Sequence, residues 1–299
     1  MDLLIGTLVL RPYVFGFLAA FLMAGAGDLG WRRTLLFGAW VGPVAWLAEF
    51  SSTRTGIPFG LYHYTGTTHG QELFLANVPL MDCLSFVFLA YAAFCLARAA
   101  LRSTPPTAPV VAVVAGVLMM LLDVVIDPVA VRGDRWFLGR IFYYPEGGVY
   151  FGVPLSNFAG WMIVGMVGVG GYLCWSGWRQ HASRRGWPGL EGRGLLYRGV
   201  VLALKRGWPG LEGRGSGTSG LTVGAGGGGV GPFDRYGRRV WPGIALYYAV
   251  LAFNLVVTGW IGEWLLLGVG AAVHAVTAAI LWNLALRPAA RLGLEKQRA

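Results

Sequence analysis

Residues 108–127 read APVVAVVAGVLMMLLDVVID, an apolar run whose first carboxylate is Asp123. A helix that crosses the hydrocarbon of a bilayer needs about 20 such residues, so this segment predicts a membrane span carrying Asp123 and Asp127 at its end. Working outward, runs of similar character fall at 12–27, 34–50, 78–101, 150–177, 241–260 and 262–286. The expected fold class is therefore all-α, a polytopic transmembrane helix bundle of about seven spans. Arg11 and Pro12 interrupt the first run, and the ten residues before them are able to form a separate short helix. The last two runs meet at Trp260, Ile261 and Gly262, a junction short enough for one of them to be tilted or broken.

Composition gives the same answer. The chain of 299 residues is 56% hydrophobic and 13% charged, with mean hydropathy +0.58, whereas soluble domains carry about 25% charged residues. The formal charge of +10 does not indicate nucleic acid, because the basic residues are nearly all arginines between apolar runs. Membrane orientation explains them. Loops after odd-numbered spans, the insert and the tail hold 19 of the 24 Lys and Arg residues, against 5 on the other side. By the positive-inside rule this predicts an external N-terminus and a cytoplasmic C-terminus and insert, in the cytoplasmic membrane of a prokaryote. Cys83, Cys95 and Cys174 are odd in number, lie in apolar segments and lack CxxC or CxxH spacing, so they read as packing residues.

Three regions are expected: residues 1–177 with spans one to five and two polar loops, 178–240 as an insert, and 241–299 with spans six and seven and a basic tail. The start of the chain, without a basic n-region or a small-residue cleavage site, reads as a retained helix. Within the insert GWPGLEGRG occurs at 186–194 and again at 207–215, followed by a Gly/Ser-rich stretch. Two copies are too few for a solenoid, and the segment reads as a flexible basic linker. LLYRGVVLAL inside it is too short to span.

The polar stretches carry the functional interest. They are 49–64, EFSSTRTGIPFGLYHY, and 123–161, DVVIDPVAVRGDRWFLGRIFYYPEGGVYFGVPLSNFAGW. Both loops follow even-numbered spans and so share one membrane face. Carboxylates at the edge of hydrocarbon are costly, which makes them candidates for function. Asp123 and Asp127 are four apart and so lie on one helix face; because Pro128 disfavours helical geometry before it, the helix is expected to end at Asp127. The alternative is that Asp127 caps the loop while Asp123 pairs with Arg132 or Arg135. Glu49 closes the second span. Desolvation disfavours an anion, so a carboxyl group in such an apolar, aromatic setting is a usable acid; alternatively Glu49 is held by Arg54. Asp82 sits at the start of the third span, where the helix dipole favours it. Tyr62, His63, Tyr64, Trp136, Tyr150, Asn157 and Trp161 complete the candidate site. Their aromatic density suggests a cavity wall for an elongated apolar ligand, with π faces able to stabilise a developing carbocation. No HxxxH or HExxH spacing suggests a metal.

Glu49 with TGIPFGLYHY, Asn77-Val78-Pro79, Asp123 with Asp127-Pro128, Trp136 and GVYFGVPLSNFAGW together resemble the integral-membrane carotenoid biosynthesis proteins that act as carotenoid 1,2-hydratases, the archaeal bisanhydrobacterioruberin hydratases among them. The resemblance covers about 40–287 apart from the insert. It implies addition of water to the terminal C1,C2 double bond of an acyclic ψ-end group, on lycopene, γ-carotene or a related carotenoid, to give a tertiary alcohol. A mechanism compatible with the residues protonates C2 from a neutral carboxylic acid, forms the cation at C1 and lets a held water attack, with no redox cofactor or metal needed. The acid is then one of Asp123, Asp127 and Glu49; Asp82, Tyr62, Tyr64, His63 and Asn157 place the water or accept its proton. The implied partners are the carotenoid and the lipid bilayer, and association with other carotenoid-pathway enzymes stays open.

Three other functions compete with this one. A retinal protein lacks its lysine in the final span. A proton-coupled transporter would suit the membrane carboxylates, but paired broken helices in repeated halves are not evident. A carotenoid cyclase begins with the same protonation and differs only in what captures the cation.

Overall fold

The computed structural model describes residues 2–102, 106–176 and 237–286. The repeat and short apolar segment of the insert, and the basic tail beyond residue 286, lie outside the described residues. Eight helices run in chain order: α1 (Leu3–Leu10), α2 (Pro12–Asp28), α3 (Trp31–Thr55), α4 (Leu80–Ala100), α5 (Ala108–Ala130), α6 (Leu155–Trp175), α7 (Gly237–Trp260) and α8 (Trp264–Leu286). Six of them, α3 to α8, are long and apolar enough to cross a membrane, and α1 with α2 makes a seventh element bent by 87°. The bend falls at Arg11, just before the proline that opens α2; proline suits the first position of a helix, where its missing N–H would have no partner. The fold is the expected helical membrane bundle.

α4 is its axis. From Phe86 to Ala97 every side chain is buried, as expected for a helix that is apolar on all sides and enclosed by others. It packs against α2, α3, α5 and α7, so the helices on either side of the insert form one bundle. Leu4, Val9, Met23, Val256, Leu265 and Val276 project outward and exposed, the apolar belt that lipid requires. α5 and α6 approach closely through small residues. A Cβ on Gly116 would stand 2.6 Å from the Met162 carbonyl oxygen, and one on Gly165 would stand 2.9 Å from the Gly116 Cα. Such contacts replace the hydrophobic driving force that is missing between helices in lipid.

α5 continues through Pro128 to Ala130 rather than ending at Asp127. Proline removes only the bond to the Val124 carbonyl. The extra turn is held by burial of Val129 and Ala130 and by the Val131 N–H, which donates to the Asp127 carbonyl at 3.0 Å. The α7–α8 junction is a tight turn, with Gly262 at φ +79°.

Four two-residue strands order the loops: β1 (His63–Tyr64), β2 (Phe74–Leu75), β3 (Val78–Pro79) and β4 (Phe142–Tyr143). β1 pairs antiparallel with β4, setting His63 opposite Tyr143 and Tyr64 opposite Phe142. The two polar loops are thus joined edge to edge.

Candidate active site

The last turn of α3 and the loop after it build the first part of the site. α3 stops where Gly56 adopts the left-handed conformation, φ +78°, which side chains rarely allow. Ser52 Oγ then accepts from the Phe59 N–H at 3.0 Å, folding the chain back over the helix end. This return brings Tyr62 and Tyr64 onto Glu49, whose Oε2 accepts a hydrogen bond from the Tyr62 hydroxyl and another, at 2.8 Å, from the Tyr64 hydroxyl. Burial first, then the charge of Glu49, pushes both phenols well above their ordinary range, so each keeps its proton and donates it. Strand alternation turns His63 the other way. It is exposed on the outer side of β1 beside Tyr143, and of the two neighbours only Tyr64 faces the site.

The second part comes from the packed pair α5 and α6. Asp123 and Asp127 lie on one face of α5, as their spacing predicts, and Asn157 sits in the first turn of α6. One amide nitrogen serves both: Asn157 Nδ2 donates to Asp123 Oδ2 at 2.6 Å and to Asp127 Oδ2 at 2.8 Å. Asp123 is fully buried, and its Oδ1 has no hydrogen-bond partner. The alternative pairing with Arg132 or Arg135 does not occur, as both arginines bond Glu263 at 3.3 and 2.5 Å. Nor does Arg54 hold Glu49; it bonds Phe50 O, Thr53 Oγ1 and Asn77 Oδ1 and lies over the Phe50 ring.

The third part has a residue that the sequence reading did not place in the site. Arg11, at the bend between α1 and α2, is 2% exposed and bonds Asp82 at 3.0 Å and Glu72 at 2.9 Å. The available signal was the break it makes in an apolar run, since an arginine at membrane depth requires a counter-charge. Its partners stand 61 and 71 positions away, beyond any local pattern.

These parts surround a cavity of about 130 Å³. Of the candidate residues, Glu49, Tyr62, Tyr64, Asp82, Asp127, Trp136, Asn157 and Trp161 line it. Asp123 stands beside Asp127 through their common amide. Tyr150 is outside the lining, packed edge-on against Phe151 and Phe158. One aromatic group on the wall is Phe59, Phe86 and Trp161, with Phe86 and Trp161 stacked at 4.2 Å and 16°. Another gathers Tyr13, Phe17 and Phe253, with Tyr13 and Phe253 stacked at 5.2 Å. These last three were read only as membrane-span residues. Trp136 Nε1 is buried without a partner at the same cavity. The chemistry available is proton transfer to and from carboxyl groups, beside π faces that tolerate a cation, in a pocket lined by the helices and by the two polar loops.

Comparison with known proteins gives a family match over residues 4–195, described as carotenoid biosynthesis protein. This interval contains all the carboxylates named at the cavity. A bisanhydrobacterioruberin hydratase of Haloarcula japonica is 35% identical over 123 residues, which are 40% of this chain and 38% of that protein. The chain thus matches well under half the length of that relative. No solved structure matches the chain.

Proposed function

The chain belongs to the carotenoid biosynthesis protein family, and from that membership we propose that it is a hydratase, adding water to the terminal C1,C2 double bond of an acyclic ψ-end group on lycopene, γ-carotene or a related carotenoid. The observation that carries this reading is the cavity itself, where carboxyl groups and aromatic faces converge inside a membrane bundle. Its size supports an end-group reaction. An engineered protein cavity of about 150 Å³ admits benzene, so about 130 Å³ suits one chain terminus and a water better than a whole carotenoid. The Haloarcula japonica relative is a hydratase by name, which supports the same reaction class.

In the proposed reaction a carboxylic acid protonates C2, the tertiary cation forms at C1 beside aromatic faces, and water attacks C1. The acid belongs to the set Asp123, Asp127 and Glu49. Tyr62 and Tyr64, whose phenols stay protonated, suit the holding of a polar reactant better than the capture of a cation by an internal alkene, and so favour hydration over cyclisation. The same proposal places the motif loops and N-terminus on the outer face of a prokaryotic cytoplasmic membrane and the insert and C-terminus inside, following the distribution of basic residues.

Expression of the full chain in a lycopene-accumulating host, with mass spectrometry of the pigments, tests this. The expected product is heavier than lycopene by one water. A product of unchanged mass supports the cyclase instead, and proton-driven uptake into reconstituted vesicles without pigment change supports the transporter.

A further inference from the structure

The carboxyl groups at the cavity differ in what holds them. Asp82 is paired with the guanidinium of Arg11 at 3.0 Å, and a carboxyl group bonded to a fixed cation is kept as the anion. Glu49 is buried, which works against its anion, and it receives two phenol hydrogen bonds on one oxygen, a donor set that works for the anion and suits a group that takes a proton from a bound water. Asp123 and Asp127 take part in no ion pair among the described residues, and one neutral amide binds an oxygen of each. Two carboxyl groups held side by side away from bulk solvent do not both ionise, and the pair shares one proton. Only Asp127 of the two lines the cavity, while Asp123 is fully buried.

We propose that the hydration reaction is divided between two carboxyl systems: Asp127, with Asp123 as its positioning partner, gives the proton, and Glu49 with Tyr62 and Tyr64 holds the water and takes its proton. This rests on the hydratase reading above. The O–H bond of Asp127 breaks as the π electrons of the terminal alkene form a C2–H bond, leaving the positive charge on C1. A lone pair of the water then forms the C1–O bond, and the resulting oxonium loses one proton to the Glu49 carboxylate. Hydration adds one water and consumes no net proton. The cycle therefore closes when Glu49 returns its proton through cavity water to the Asp127 carboxylate, and no outside proton supply is required. Asp82, bonded to the Arg11 guanidinium that it shares with Glu72, is not assigned as the donor.

Deuterium labelling separates the two roles. Membranes carrying the full chain are incubated with lycopene in heavy water, and product and recovered lycopene are analysed by mass spectrometry. With Glu49→Gln the expected result is a fall of about 100-fold or more in hydrated product, the scale of a lost general base, while recovered lycopene still gains deuterium. The uncaptured cation turns about its C1–C2 bond and collapses to the alkene by losing the original C2 hydrogen to the Asp127 carboxylate, keeping the deuteron. With Asp127→Asn neither product nor label is expected; Asp127→Glu, which keeps an acid, restores part of the exchange and shows that the site remains assembled. Asp123→Asn is expected to lower exchange and hydration together with KM for lycopene unchanged. Exchange that survives Asp127→Asn, or that disappears with Glu49→Gln at normal membrane abundance, overturns the assignment. A wild-type chain that gives neither product nor label overturns the hydratase reading itself, whereas wild-type hydration with the wrong exchange pattern overturns only the division of roles.

Discussion

Two buried aspartate clusters lie toward opposite ends of α4, and they differ in what faces the carboxylates. Arg98 and Asp82 are 16 positions apart on this helix, about 24 Å of rise. Toward its C-terminal end Asp28 is gripped by Arg98, with Nη2 to Oδ1 at 3.1 Å and Nη1 to Oδ2 at 2.5 Å, and Tyr91 lies within 3.4 Å. Toward the other end Asp123 and Asp127 share the Asn157 amide and make no ion pair among the described residues. Burial does not separate the two clusters, since Asp28 is 5% exposed and Asp123 0%. The partner does. An aspartate locked in a bidentate guanidinium pair is an anion that ties helices together, while a pair without a cation keeps a proton that chemistry can use.

Breaking the first cluster should have the largest effect on stability. Arg98→Met leaves Asp28 buried without its cation, a change that costs about 3–5 kcal/mol in buried pairs. The expected outcome is a large fall in thermal midpoint and membrane yield, with turnover per folded molecule retained, read by thermal unfolding in detergent beside the pigment assay. Equal loss of turnover per folded molecule would erase the distinction between the clusters.

Breaking the second should reverse that pattern. Asp123→Asn replaces a carboxyl with an isosteric amide that needs no counter-charge, so the thermal midpoint should move little. Hydration should fall by about 100-fold, equivalent to about 2.7 kcal/mol. A variant that unfolds while keeping its rate would make Asp123 a structural residue like Asp28.

How far these features were legible depended on distance along the chain. The spans follow from runs such as 108–127 and needed no partner information. The Asp123–Asp127 pair is an i, i+4 relation and was equally visible. Arg11 with Glu72 and Asp82 was not, because charge pairing across 61 and 71 positions leaves no periodic trace. The outward turn of His63 was hidden for a different reason: β1 has two residues, too few for alternation to appear, so His63 and Tyr64 looked equivalent. Tyr13, Phe17 and Phe253 were hidden in spans, where an aromatic facing a cavity looks the same as one facing lipid. Pro128 misled by a rule that is sound on average, as burial of Val129 and Ala130 outweighed one lost hydrogen bond.

The Glu49 system tests the comparison at smaller amplitude. Tyr64→Phe removes one of two phenols from Glu49 Oε2 and leaves Tyr62 in place. A hydrogen bond to a charged group contributes about 1.5–3 kcal/mol, and the remaining donor offsets part of the loss, so a fall in hydration of about tenfold is expected. Tyr62→Phe,Tyr64→Phe together should lose more than the sum of the singles in free energy, since no phenol then holds the carboxylate. Strictly additive effects in this double-mutant cycle would show that the two hydroxyls do not act through a shared group.

The smallest effect is expected from a carboxylate that resembles Asp28 in partner but not in depth. Glu263 bonds Arg132 and Arg135, and Arg135 is 57% exposed. The pair joins the loop that carries Trp136 to the turn between α7 and α8, close in sequence to the cavity wall. If a guanidinium partner alone made a carboxylate structural, Glu263→Gln would destabilise as Arg98→Met does. If desolvation is what gives the partner its weight, water and salt screen the Arg135 arm of this pair, and exposed pairs contribute about 0–1 kcal/mol. The second outcome is expected: a thermal midpoint within a few degrees of wild type, unchanged hydration, and a difference that shrinks further as ionic strength rises. A loss as large as that of Arg98→Met would mean that the loop of Trp136 is held by this ion pair rather than by the packing of Val129 and Trp136 against Val257 and Leu266.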